Sequence, residues 1–306
     1  MIAVPDSARP VLPLWAALVV AAASGPVLDA GFPDKGYWPL TFVGIGLVLV
    51  SLIGRRVGSA LLVGFVAGAA FYFTHIAWAS LFLGPLPMSA LSVLESLFFA
   101  AGSLAITLAY RWLPHAFPSP MGRLGLLPVV VAGLWTAREA WASVWPYGGF
   151  AWGRVGLSQS DSPFSPLFAW LGISGVSFVM VLVVAAPIEA IRLGGVGRLG
   201  RAAVPVAMVA LLLAIPAWQV PTGDTIRVAA VQGNGKAGYF DERERGDLLR
   251  AQLDATAPLY GTDVDVVLWP EGSSEASPLD DGYTASAFDH VSEQLSAPLV
   301  TWAVTE

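Results

Sequence analysis

Residues Asp263 to Glu275 read DVDVVLWPEGSSE, and the fold class of the C-terminal part of the chain turns on them. Val264 to Leu268 is a short apolar run rich in β-branched residues, bounded by Asp263 and by Pro270. A run of that length is too short for a core helix and predicts a buried strand. Pro270 has no N–H to give to a sheet, so the strand ends before it. Glu271 therefore falls just past the carboxyl end of a strand, where open α/β sheets build their active sites. The competing reading is an ordinary solvated carboxylate at a strand end. Glu275 and Glu242 read as solvated carboxylates of a loop or a helix face.

On either side of this stretch the pattern predicts an alternation of strands and helices. Ile226 to Val231 reads as a strand closed by the turn residues Gln232-Gly233-Asn234. Asp241 to Ala257 reads as an amphipathic helix with Leu248, Leu249 and Leu253 on one face. Asp281 to Leu295 reads as a second helix, with Phe288, Val291 and Leu295 at helical spacing, and Pro298 to Val304 as a third strand. The order β-α-β-α-β argues for an α/β domain. Residues 220–306 are few for a complete sandwich of that kind, so the expectation is the N-terminal part of a domain, truncated at Glu306.

The remainder of the chain is of another character. Of its 306 residues 56% are hydrophobic and 12% charged, and the mean hydropathy is +0.67. Such values indicate a polytopic membrane protein. Residues 1–218 carry 11 Lys/Arg against 7 Asp/Glu, while residues 219–306 carry 5 against 15. An acidic C-terminal part argues against a nucleic-acid partner. The chain has no cysteine, hence no disulfide, thiolate metal site or thiol nucleophile of its own.

Seven candidate spans follow from hydropathy: Val11–Ala30, Tyr37–Ile53, Ser59–Leu83, Met88–Tyr110, Leu124–Val144, Leu167–Ile191 and Ala202–Trp218. With the N-terminus cytoplasmic, the inner segments hold Arg9, Arg55, Arg56, Arg111, Arg123, Arg192, Arg198 and Arg201. The outer side holds Lys35 and Arg154, with Arg138 near an outer helix end. That bias sets the orientation and puts the residues after Trp218 outside the cytoplasm. Gly64 and Gly68, four apart, predict a helix contact. Gly195, Gly197 and Gly200 spell GxGxxG, but in an Arg-rich loop with no preceding strand, which argues against a dinucleotide site. His75, His115 and His290 show no metal-ligand spacing. Glu95 lies inside the fourth span, either as a functional group or snorkelling to the interface. The segment from Arg138 to Pro166 carries Trp141, Trp145, Tyr147 and Trp152, which fit an aromatic belt or a mouth for lipid chains. Its Gly148-Gly149 pair predicts a tight backbone turn.

Seven spans, then VAAVQGN at Val228–Asn234 and VVLWPEGSSE at Val266–Glu275, together resemble bacterial apolipoprotein N-acyltransferases. The loop WPYGGFAWG at Trp145–Gly153 resembles that family's loop before the sixth span. The resemblance departs at Ala151, where the family has Pro, at Ala142, where an Arg is frequent, and at Gly272, where Asn is common. It implies a polytopic membrane domain over 1–219 and, over 220–306, the start of an extracytoplasmic nitrilase-like domain, an α-β-β-α sandwich of the carbon–nitrogen hydrolase superfamily. It implies ping-pong acyl transfer in the bacterial cell membrane from a phospholipid to the amino group of a diacylglyceryl-cysteine lipoprotein. Glu271 would be the general base, and the lysine and cysteine of the family's triad would lie beyond residue 306. No cofactor is implied. Two alternatives stand beside it: a membrane-tethered amidase, and a membrane scaffold for a polyprenol-phosphate mannose synthase.

Overall fold

A computed structural model describes residues 10–33, 35–193, 207–219, 221–236, 238 and 240–302. The chain forms two compact units, residues 1–80 with 85–219, and residues 81–84 with 220–306.

The first unit is helical. Its helices are α1 (Leu14–Asp29), α2 (Pro39–Leu52) and α3 (Val57–His75), followed by the short α4 (Ser80–Leu83) at its boundary. Then come α5 (Pro85–Ala116), α6 (Leu127–Ala142), α7 (Leu167–Leu193) and α8 (207–213). Three of these, α3, α5 and α7, are long and apolar enough to cross a membrane, while α1 and α2 are apolar but shorter. The predicted third span overshoots. Its helix ends at His75, where Ile76 leaves helical geometry, and the apolar run continues through a 3₁₀ turn at Ala77–Ala79. Hydropathy registers apolar side chains and is blind to that change of backbone. Of the predicted seventh span only residues 207–213 are described as helical, and Gly195, Gly197 and Gly200 lie outside the described residues.

Small residues set the helix contacts, as the Gly64/Gly68 spacing predicts. A Cβ on Gly64 would stand 2.5 Å from the Ser103 side chain, and one on Gly68 2.7 Å from that of Phe99. The backbones of α3 and α5 thus approach as closely as only glycine allows.

Three of the basic residues assigned by sequence to the inner side, Arg55, Arg123 and Arg192, are drawn in at one end of this bundle, two of them onto a buried carboxylate and one onto backbone carbonyls. Glu189 of α7 is fully buried and accepts from Arg123 on one oxygen and from Arg192, at 2.6 Å, on the other. The Arg192 guanidinium lies 5.6 Å over the Tyr110 ring. Arg55, buried after α2, donates to the carbonyls of Ser51, at 3.0 Å, and Leu12. Buried charges persist only when paired in this way.

The second unit holds a parallel three-stranded sheet in the order β1 (Val228–Ala230), β2 (Val266–Leu268), β3 (Leu299–Val300). Val228 pairs with Val266, and Val267 with Leu299. The crossovers are α9 (Asp247–Thr256) and α10 (Gly282–Leu295), giving the predicted β-α-β-α-β order. Val267, Leu249, Val291 and Leu295 form its core. The helix predicted from Asp241 begins only at Asp247, after Gly246, whose φ of +93° is not helical. Asp281 caps α10 by accepting from the Tyr283 and Thr284 amides, the expected role of an Asp at that position.

Candidate functional site

Glu271 lies just past the end of β2, after Trp269 and Pro270, and its side chain is exposed. The backbone leading to it is firmly held. Val267 N donates to Pro298 O at 3.0 Å and Trp269 N to Val300 O at 2.9 Å, so β3 supports the strand up to the turn. The buried Trp269 indole donates to Thr256 Oγ1 at 3.0 Å, fixing the same segment to α9. Gly272 takes a φ of +73°, which turns the chain sharply after the carboxylate. Asn tolerates that left-handed region better than other side chains, so Gly and Asn are the two residues suited to the position. Ser273 closes the turn by donating to Pro270 O and sits 3.3 Å from Thr301 Oγ1 beyond β3. A shallow depression of about 260 Å³ opens beside it at the carboxyl ends of β1 and β2, lined by Val231, Gln232, Trp269 and Pro270. Its far wall is fixed by Gln252, which accepts from Gly233 N and donates to Val231 O, each at 2.7 Å.

The neighbouring Glu275 has a different task. Its Oε1 accepts from the Leu248 amide at 2.9 Å, in the first turn of α9. It thus satisfies one of the orphan N–H groups of a helix start. The sequence suggested a solvated loop carboxylate there; the structure corrects this, because the partner lies 27 positions away and only the fold brings it near. Glu242 is exposed, as expected. Among the described residues no three His, Asp or Glu side chains are grouped as a metal ion would require.

The first unit contains a buried polar network that sequence reasoning did not assemble. Glu139 of α6 is 2% exposed, and its Oε1 accepts from the Trp135 indole at 2.8 Å and from the Val155 amide at 3.1 Å. Arg138 lies 3.6 Å from the same oxygen, with its guanidinium 4.5 Å over the Phe99 ring. Glu95 of α5 is 1% exposed and faces the Tyr72 hydroxyl and Arg138. It does not snorkel, and one oxygen each of Glu95 and Glu139 has no hydrogen-bond partner among the described residues. The sequence signal was present in two acids and a base within apolar helices.

This network holds the aromatic loop. After α6 the chain turns through Tyr147, Gly148 and Gly149, all at positive φ. A Cβ on Gly149 would stand 2.2 Å from backbone atoms of Ser143 and Val144, so the pair forms the tight turn predicted. Phe150 N returns to Ala142 O at 2.7 Å, and the Val155 amide reaches Glu139. Trp141, Trp145, Tyr147 and Trp152 remain well exposed, as rings at a membrane–water interface are.

One family model matches residues 24–186, described as the apolipoprotein N-acyltransferase N-terminal domain. The chain is also similar to proteins named apolipoprotein N-acyltransferase. That of Photobacterium profundum is 27% identical over 85% of this chain and 50% of its own length. That of Pseudomonas aeruginosa strain LESB58 is 28% identical over 94% and 57%, and that of Azotobacter vinelandii 29% over 85% and 51%. The chain thus spans about half the length of the curated relatives it matches.

Proposed function

Because the chain belongs to the family of the apolipoprotein N-acyltransferase N-terminal domain, we propose that it is part of an enzyme that N-acylates lipoproteins at a bacterial cell membrane. The acyl donor is a phospholipid and the acceptor the free amine of a diacylglyceryl-cysteine. All three relatives described carry the acyltransferase name, which favours this reading over the tethered amidase and the mannose synthase scaffold. In this proposal residues 1–219 form a seven-span membrane domain, and residues 220–306 begin an extracytoplasmic nitrilase-like domain. The parallel β-α-β-α-β order supports the second assignment. The Arg bias supports the orientation.

Glu271 is the general base. The observation that carries this is its place at the carboxyl end of the central strand of a parallel sheet, beside an open depression. Its carboxylate takes the proton of a thiol, the thiolate attacks the ester carbonyl of the phospholipid, and the lysophospholipid oxygen leaves with a proton. The lipoprotein amine then attacks the thioester, gives up its proton and releases the thiol. These 306 residues contain no cysteine, so the thiol belongs to a part of the enzyme outside this chain, as does the lysine that stabilises the oxyanion.

The test is Glu271→Gln in a full-length version. Loss of a general base typically costs about 10²–10⁴-fold. Acylation of a diacylated lipopeptide within a few-fold of the parent enzyme removes Glu271 from the mechanism.

A further inference from the structure

The carboxylate proposed as the base rides on a turn whose next side chains are withdrawn from solvent. Glu271 is exposed, while Ser273 and Ser274 after it are each only 3% exposed. Serine is mostly a surface residue, and a buried hydroxyl has to find partners. Ser273 Oγ donates to the Pro270 carbonyl and lies 3.3 Å from Thr301 Oγ1. Ser274 Oγ accepts from the Ala276 amide at 3.2 Å, and Glu275 accepts from the Leu248 amide at 2.9 Å. The turn is thus tied to itself, to the chain just after β3 and to α9.

Of these contacts, that of Ser273 acts directly on the peptide unit that carries Glu271. The Pro270 carbonyl and the Glu271 amide belong to one planar peptide. The proline ring fixes φ of Pro270, which leaves its ψ as the torsion that aims this plane. The Ser273 hydroxyl holds the oxygen of the plane and so sets that torsion. On the other side of Glu271 stands Gly272, at a φ of +73°, a residue type that restrains its own backbone least. A hydroxyl has one proton and two lone pairs, so Ser273 can accept from Thr301 while it donates to Pro270. Leu268 pairs with Val300, which puts Thr301 beside Trp269. The hydroxyl pair therefore refers the aim of the turn to β3 as well as to β2.

We propose that Ser273, backed by Thr301, is the positioning residue of the general base: it sets the peptide plane from which the Glu271 side chain springs. The proposal rests on the acyltransferase reading of Glu271. Ser273 takes no proton from substrate and forms no covalent intermediate; it acts through Glu271 alone.

The test is steady-state N-acylation of a diacylated lipopeptide from a phospholipid donor by the full-length enzyme, with folding checked by thermal denaturation in detergent. Ser273→Ala should lower kcat about tenfold or more, since a misplacement of about 1 Å can cost about 10²-fold, and leave KM within about twofold. Thr301→Val, isosteric but without a hydroxyl, should lower kcat in the same sense, and Thr301→Ser should recover most of that loss. The deciding comparison is the Glu271→Gln background, assayed at high enzyme concentration. There Ser273→Ala should cost no further rate, because the base through which it acts is gone, whereas an independent site would add its full effect. The full loss repeated in that background, or a loss carried by KM, marks a merely structural role and overturns the proposal. A kcat for folded Ser273→Ala within about twofold of the parent overturns it as well. If Ser273→Ala does not fold, Thr301→Val carries the same comparisons. Glu271→Gln as active as the parent removes the base itself and this proposal with it. Loss in Glu271→Gln beside a normal Ser273→Ala removes only the positioning role, so the two failures are separable.

Discussion

Replacing Glu139 by Ala should loosen the aromatic loop without unfolding the bundle around it. The carboxylate oxygen Oε1 is the acceptor for two donors, the Trp135 indole at 2.8 Å and the Val155 amide at 3.1 Å. Trp135 is 2% exposed and Val155 1%, so neither donor gains water when the acceptor is removed. A buried donor left unsatisfied costs about 1–3 kcal/mol, hence roughly 2–6 kcal/mol for two. Hydrogen bonds between membrane helices average only about 0.6 kcal/mol in measured cycles, which sets a floor of roughly 1.2 kcal/mol. At about 1.4 kcal/mol per tenfold, the floor corresponds to roughly sevenfold and the lower bound of the first estimate to about 30-fold in the opened population. Proteolysis tracks that population when opening and closing outpace cleavage. The assay is therefore limited proteolysis of the purified chain in detergent, reading cuts between residues 143 and 166. Glu139→Ala should be cut there at least about sevenfold faster than the parent. Glu139→Gln should fall much closer to the parent, since its carbonyl can occupy the Oε1 position and its amide the place of an oxygen that has no partner. Cleavage of Glu139→Ala within about twofold of the parent would refute the view that this carboxylate holds the loop.

Three further outcomes are expected. Gly68→Val places side-chain atoms where a Cβ alone would meet Phe99 at 2.7 Å, and overpacking of this kind costs about 1–3 kcal/mol; a clear fall in thermal stability in detergent should result, whereas Gly58→Ala, with nothing within 4 Å, should not destabilise. The amide bonds from Thr284 and Tyr283, with Arg245 nearby, hold the Asp281 carboxyl below its ordinary value of 3.8. Its contribution to α10 is accordingly complete above pH 3.8 and lost as pH falls through the lowered value, so protection factors of the Thr284 amide should decline there, and Asp281→Ala should abolish that dependence. Phosphatase fusions should be active at residue 230 and inactive at residue 196; the reverse pattern overturns the proposed orientation.

What the sequence made legible were the features written in local pattern. The strand over Val266–Leu268, the capping Asp281, the Gly64/Gly68 contact and the glycine turn all follow from residues a few positions apart. The placement of Glu271 after β2 belongs to the same class. The misses are those that depend on contacts across the chain. The pairing of His75 with Asp29, 46 residues away, has no signal in the local sequence. Glu275 looked solvated, yet it accepts from Leu248. Arg138 does lie near the end of α6, but its burial against Phe99 and Trp135 could not be read from its neighbours in sequence. Hydropathy also overran the end of α3, because Ile76–Leu83 remains apolar while the backbone changes form.

If α5 crosses the membrane as proposed, its length has a consequence for the bilayer. Thirty-two residues make a rod of about 48 Å, against a hydrocarbon layer of about 30 Å. Even at a tilt of about 40°, the upper end of what such helices adopt, its projection is roughly 37 Å. In the proposed membrane domain some part of this rod would therefore stand in the headgroup layer at any common tilt. Arg111, Trp112 and His115 in its final turns suit that position, with side chains that bear both water and lipid. A bilayer thickened by a few ångströms would then cover more of the same helix instead of stretching a short one. In the proposed membrane domain α5 would act as a mast along which the water line can move, and α1 and α2, at 16 and 14 residues, would register the change in thickness first.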